Sequence, residues 1–153
     1  MKPIIKYIRE GSKTIWCPFD TQDSEYVKCL TEAGHTVIAT HIDEGKNFFF
    51  YEPAEHYDYI ISNPPFSCKD AVLERLAKIG KPYAILLPLP SLQGQKRFSY
   101  LVGTQALIFD KRINFYTDSA RTSIAKGVSF ATIYICKNFL PKDLIFEKLE
   151  SNI

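Results

Sequence analysis

Tyr59-Ile60-Ile61-Ser62-Asn63-Pro64-Pro65-Phe66 joins a short apolar run to two prolines and an aromatic ring. Residues 57–61 have the apolar, β-forming character of a buried strand. Proline has no N–H to give to a sheet ladder, so the strand must end at Pro64 and Pro65. Each proline also keeps the residue before it out of the helical region, which makes the exit stiff and extended. The segment therefore presents an amide side chain, backbone carbonyls and one ring at the carboxyl end of a strand. Those groups suit an exocyclic amine on a flat heterocycle, whose lone pair is delocalised into the ring. If the Asn63 side-chain oxygen and the Pro64 carbonyl accept the two amine hydrogens, the lone pair is released for attack. Phe66 can stack on the ring and set its plane. The plain alternative is a strand-ending turn, for which Asn-Pro is common punctuation.

Ser62-Asn63-Pro64-Pro65-Phe66-Ser67 resembles the catalytic motif of S-adenosylmethionine-dependent amino methyltransferases, chiefly the adenine-N6 group. The resemblance covers roughly residues 14–136. It implies an α/β fold: a Rossmann-like, class I three-layer sandwich with a mostly parallel seven-stranded sheet and an antiparallel last strand. It also implies catalytic roles for Asn63, Pro64, Pro65 and Phe66.

Composition sets the frame. The chain has 153 residues, 46% of them hydrophobic, enough for one domain with a core and too few for a separate target-recognition domain. A net charge of +2 does not by itself mark a nucleic-acid protein. Cys17, Cys29, Cys68 and Cys136 are far apart with no Cys-x-x-Cys pair, which argues against a zinc site and a disulfide framework. No segment is apolar for long enough to cross a membrane, and the start Met1-Lys2-Pro3-Ile4-Ile5-Lys6 lacks a signal-peptide core. A cytoplasmic protein is the expectation.

Upstream of the motif, Thr14-Ile15-Trp16-Cys17 reads as the first buried strand, stopped by Pro18. A helix follows over residues 24–33, with Asp23 suited to cap it and Gly34 to end it. Cys17-Pro18-Phe19 is similar to the family's Asp-Pro-Phe entry to the cofactor loop, and Thr21-Gln22-Asp23 stands where the family has a glycine turn. The resemblance thus places Pro18, Phe19 and Asp20 at the cofactor. Electrostatics helps choose that ligand. Asp20, Asp23 and Glu25 would repel a phosphate at this helix start, whereas a sulfonium and an ammonium welcome carboxylates. The same acids could equally serve the helix dipole.

Residues 36–40 form the second strand, and Asp43 follows its carboxyl end. An acid there can accept from both ribose hydroxyls of an adenosine, with His41 at the edge; a solvated turn is the alternative. Asn47-Phe48 matches, with the acid amidated, the family's Asp-Phe pair that holds the cofactor's adenine. The ligand set implied for S-adenosyl-L-methionine is Pro18, Phe19, Asp20, Asp43, Asn47, Phe48 and Asn63.

Downstream, a helix reaches Ile79 with Ser67 or Asp70 as cap, and residues 83–87 form a strand buried on both faces. Further strands are expected at residues 106–109 and 128–135, with an amphipathic tail over residues 141–153. Lys96, Arg97, Arg112, Arg121 and Lys126 fall in segments after the later strands, where they would make a positive rim for phosphates. A solvated surface is the alternative for each.

Together these features point to transfer of a methyl group to the exocyclic amine of adenine in nucleic acid, with DNA the first choice. RNA adenine and protein glutamine methyltransferases share the motif. A non-catalytic nucleic-acid-binding or partner subunit with a degenerate cofactor site is the reading from another class. With no room for a separate target-recognition domain, sequence specificity would be low, or come from a partner subunit, a homodimer or the basic loops.

Overall fold

The computed structural model describes residues 2–113 and 131–149. Strands and helices alternate through most of it. A short helix α1 (Lys2–Ile5) precedes β1 (Thr14–Cys17), α2 (Glu25–Glu32), β2 (Thr36–Ala39), β3 (Tyr59–Ser62), α3 (Lys69–Ile79) and β4 (Tyr83–Pro88). There follow a one-turn helix α4 (Phe98–Leu101), β5 (Gln105–Phe109), β6 (Thr132–Lys137) and β7 (Leu144–Glu147). The strands coincide with the expected runs to within a few residues, except that β7 replaces the amphipathic tail. Among the described residues no helix is long and apolar enough to cross a membrane.

Local chemistry explains the helix limits. Ser24, rather than Asp23, caps α2: its hydroxyl accepts from the Val27 N–H at 3.3 Å. Helix α3 starts without a side-chain cap and stops at Gly80, whose φ of 75° a residue with a Cβ rarely adopts. Apolar side chains at helical spacing, Val72, Leu73 and Leu76, are buried against the sheet.

The seven strands form one sheet in the order β2-β1-β3-β4-β6-β5-β7. Strand β1 pairs in parallel with β2 on one side and β3 on the other. Only β6 runs against its neighbours, antiparallel to both β4 and β5, while β7 lies parallel to β5. Alternation sorts the two faces. Ile15, Cys17, Tyr59 and Ile61 pack with Ile4 of α1 and Leu30 of α2, whereas Trp16 and Ile60 pack with Val72, Leu73 and Leu76 of α3. The result is a three-layer α/β sandwich, as the motif's context implied.

A buried Gln105 locks the last strand in place. Its amide nitrogen donates to the Leu140 carbonyl at 2.7 Å, and its oxygen accepts from the N–H groups of Phe139 and Leu140 at 3.0 and 2.8 Å. One side chain thereby satisfies the backbone of the turn that delivers β7. Gln105→Ala leaves those buried groups unpaired and should lower the unfolding free energy by about 3 kcal/mol in a urea titration.

Candidate active site

Because β1 has β2 on one flank and β3 on the other, the loops after β1 and β3 diverge, and a crevice opens at the strand carboxyl ends. A cleft of about 540 Å³ lies there. Each of the first three strands contributes to its wall. Pro18 and Phe19 follow β1, His41 and Ile42 follow β2, and Asn63, Pro64, Pro65, Phe66 and Cys68 follow β3. Asn47, Phe48 and Phe49 complete it. Neither lysine nor arginine is among these residues.

The proline pair behaves as its chemistry requires. Strand β3 ends at Ser62, Pro64 is buried, Pro65 is exposed with φ −58° and ψ 129°, and a single 3-10 turn over Phe66–Cys68 leads into α3. Asn63 is half-buried at the cleft wall. Among the described residues nothing hydrogen-bonds its side-chain amide, so both ends of that amide remain available to a ligand.

The residues expected at the cofactor divide into two groups. Pro18, Phe19, Asn47, Phe48 and Asn63 line the cleft; Asp20 and Asp43 stand beside it. Phe48 is 2% exposed, and its ring lies between Trp16 and Phe19 at centroid distances of 5.5 and 5.0 Å. It is thus core and cleft floor together. Asn47 closes its own turn, its side-chain oxygen accepting from the Phe49 N–H at 3.0 Å, which leaves the amide nitrogen to face outward partners. Arg75 holds that turn from α3, donating to the Phe48 carbonyl at 3.1 Å and the Tyr51 carbonyl at 3.4 Å.

Asp43 lies on the 3-10 turn Ile42–Glu44, with its side chain 84% exposed. The His41 Nδ1 accepts from the Asp43 N–H at 3.1 Å, which caps the turn. Asp20 is buried, and its Oδ2 accepts from the Ser62 hydroxyl at 3.0 Å. Its negative charge adds to burial in pushing the Cys17 thiol and the Tyr26 hydroxyl well above their ordinary values, so both stay neutral.

The basic residues also divide. Lys96 and Arg112 are exposed, whereas Arg121 and Lys126 lie outside the described residues. Arg97 is engaged within the chain: it donates to the Ser91 carbonyl at 2.7 Å, the Gln93 carbonyl at 2.8 Å and Asp70 Oδ1 at 2.8 Å. This fork pins the loop after β4 to the start of α3, close behind the Pro-Pro segment. His41, expected as an edge contact, lines the cleft, whereas Ile42, Phe49 and Cys68 entered its wall with no advance signal beyond adjacency to the residues singled out. A second cleft of about 260 Å³, at the opposite end of the sheet between Arg9, Lys13, Asp58 and Asn138, gathers none of the expected residues.

The Arg97 guanidinium holds the Asp70 carboxyl below its ordinary range. A lowered folded-state value means that this pair supports the fold above the usual carboxylate range and stops doing so as pH falls through the folded value. Arg97→Ala should therefore loosen the loop at neutral pH, with faster tryptic cleavage after Lys96. The difference from the native chain should shrink on acidification, checked by acid-stable proteolysis of the same loop.

No protein-family model matches the chain, and no curated protein matches it by sequence. Among solved structures it is similar to a Listeria monocytogenes protein described as a candidate class I S-adenosylmethionine-dependent methyltransferase. That likeness has a TM-score of 0.52 at 10% identity and covers 97% of this chain but 62% of the other. A Thermoplasma acidophilum protein described as a candidate methyltransferase matches with a TM-score of 0.42 at 11% identity, over 92% of this chain and 73% of that one. What the chain shares with the Listeria protein is its architecture, the class I methyltransferase fold.

Proposed function

We propose that the chain is an S-adenosylmethionine-dependent methyltransferase acting on the exocyclic amine of adenine in nucleic acid, with DNA the favoured substrate. One observation carries the reading. The Asn63-Pro64-Pro65-Phe66 ledge and the carboxyl ends of β1 and β2 face a single cleft, and the Asn63 amide there is open to a ligand. Donor and acceptor of a methyl group need such a shared chamber.

The residues present suit the cofactor. The wall is mainly aromatic and proline carbon, fit for a nucleoside face, and among the described residues no lysine or arginine lines it to bind a phosphate. An exposed carboxylate, Asp43, stands after β2. It suits a phosphate-free ligand with ribose hydroxyls to hold and positive groups nearby. When bound, S-adenosyl-L-methionine supplies a methyl group activated by the sulfonium. The adenosine end belongs against Phe48, Phe49 and Asn47, with Asp43 at the ribose and Pro18 and Phe19 below.

The chain's own part is positioning. The Asn63 side-chain oxygen and the Pro64 carbonyl accept the two hydrogens of the target amine, which turns its lone pair out of conjugation. Phe66 stacks on the base and prevents it from tilting. Alignment of the amine with the methyl group would then account for much of the acceleration. Lys96 and Arg112 are the exposed cations available to phosphates. Arg121 and Lys126 complete the proposed set.

A cleft wall without lysine or arginine among the described residues, and the internal engagement of Arg97, favour one addition to this reading. Target recognition comes from a partner subunit or a second copy of the chain rather than from the cleft itself.

Two measurements test the proposal. Asn63→Ala should lower methyl transfer from labelled cofactor to DNA by about 100-fold or more, while calorimetry shows cofactor binding within a few-fold of native. Normal turnover by that variant would remove Asn63 from its role. In a Cys29→Ser background, Cys68 is the half-buried thiol at the cleft and Cys17 and Cys136 are buried. Saturating S-adenosylmethionine should slow its alkylation; an unchanged rate would count against a cofactor in this cleft.

A further inference from the structure

We propose that Asp20 is a positioning residue that holds the Asn63 ledge in register with the cofactor side of the cleft, acting through Ser62. The proposal rests on the methyltransferase reading and gives Asp20 a different task from the cofactor contact that the motif implied. Asp20 is 8% exposed and does not line the cleft. Its Oδ2 accepts from the hydroxyl of Ser62, a fully buried residue that immediately precedes Asn63. Its backbone N–H donates to the Thr40 carbonyl at 3.1 Å, just past β2. Thr40 in turn donates to the Cys17 carbonyl at 3.1 Å, and its hydroxyl accepts from the Trp16 indole at 2.9 Å. One residue thereby ties together the ends of β1, β2 and β3, the three strands whose loops form the cleft.

Buried carboxylates are costly unless they are well paired, and a hydroxyl-to-carboxylate bond is both stronger and more directional than a neutral one. Ser62 is the last β3 residue in register with β4, opposite Ile85, so the sheet no longer governs the chain beyond it. There the Asp20 bond takes over. Pro64 and Pro65 make the following segment rigid, so a tilt at Ser62 is transmitted to the Asn63 amide and the Pro64 carbonyl instead of being absorbed. A displacement of about 1 Å in such acceptors is enough to cost two orders of magnitude in rate.

The test uses Asp20→Asn, which keeps the shape and an acceptor but removes the charge, Ser62→Ala, and the double variant in the full chain. Each single change should lower kcat about ten-fold and leave the cofactor KM within about two-fold, a smaller loss than the limit for a displaced acceptor. The double variant should be no slower than the slower single, the mark of two groups acting as a unit. Exchange at the ledge amides, those of Asn63 and of Cys68, whose N–H donates to the Pro65 carbonyl at 3.2 Å, should quicken several-fold while α2 and β7 are unchanged. Native kcat in both singles, multiplied losses in the double, or unchanged exchange over the ledge would each overturn the proposal. If the native chain shows no methyl transfer, the methyltransferase reading fails. The exchange comparison then still decides whether Asp20 and Ser62 hold the ledge.

Discussion

Parallel pairing of β1 with both β2 and β3 sends three successive strands out of the sheet at the same edge, and the cleft opens there. Backbone hydrogen bonds set that alignment, with Ile15 opposite both Val37 and Tyr59 and Trp16 opposite both Ile38 and Ile60. The proline pair then decides where the third strand must stop. Without an N–H at residues 64 and 65 the ladder cannot continue, and the chain is pushed out as a stiff ledge into the crevice. The Asn63 amide owes its open position to this prohibition rather than to any attractive contact.

The electrostatic division of the molecule follows the same geometry. Acids sit at the ends of β1 and β2, next to a cleft whose wall, among the described residues, holds neither lysine nor arginine. Arg75 and Arg97 have their guanidiniums turned to backbone carbonyls and to Asp70, and act as braces for the loops after β2 and β4. A cation used in that way cannot also meet a phosphate. Charge in the sequence is thus a poor guide to charge at the surface, because an arginine fork finds three carbonyl or carboxylate partners as readily inside a loop as on a ligand.

Apolar runs made the strand positions legible. Residues 14–17, 36–39 and 83–87 are short runs made mostly of β-branched, aliphatic or aromatic residues. Strand β7 was not legible in that way. Leu144-Ile145-Phe146-Glu147 is too short to show a period, and Leu144 and Phe146 remain exposed in the sheet. Its place comes from pairing with β5 and from the Gln105 side chain, two partners some forty residues upstream. The cap of α2 shows the same limit at close range: Asp23 and Ser24 are both good caps, and the backbone conformation at the turn, not propensity, chose Ser24.

Taken alone, the amino-acid order determined the alternation of strand and helix, the stop at Pro64 and Pro65, and the identity of the groups on the ledge, because these depend on covalent chemistry and on nearest neighbours. Tertiary structure decided the rest. It made Asn63 and Phe19 walls of one cleft, set Asp20 beneath that cleft on Ser62, and turned Arg97 inward. These arrangements join residues tens of positions apart, and which of them meet depends on strand order and register, which no local stretch of sequence encodes.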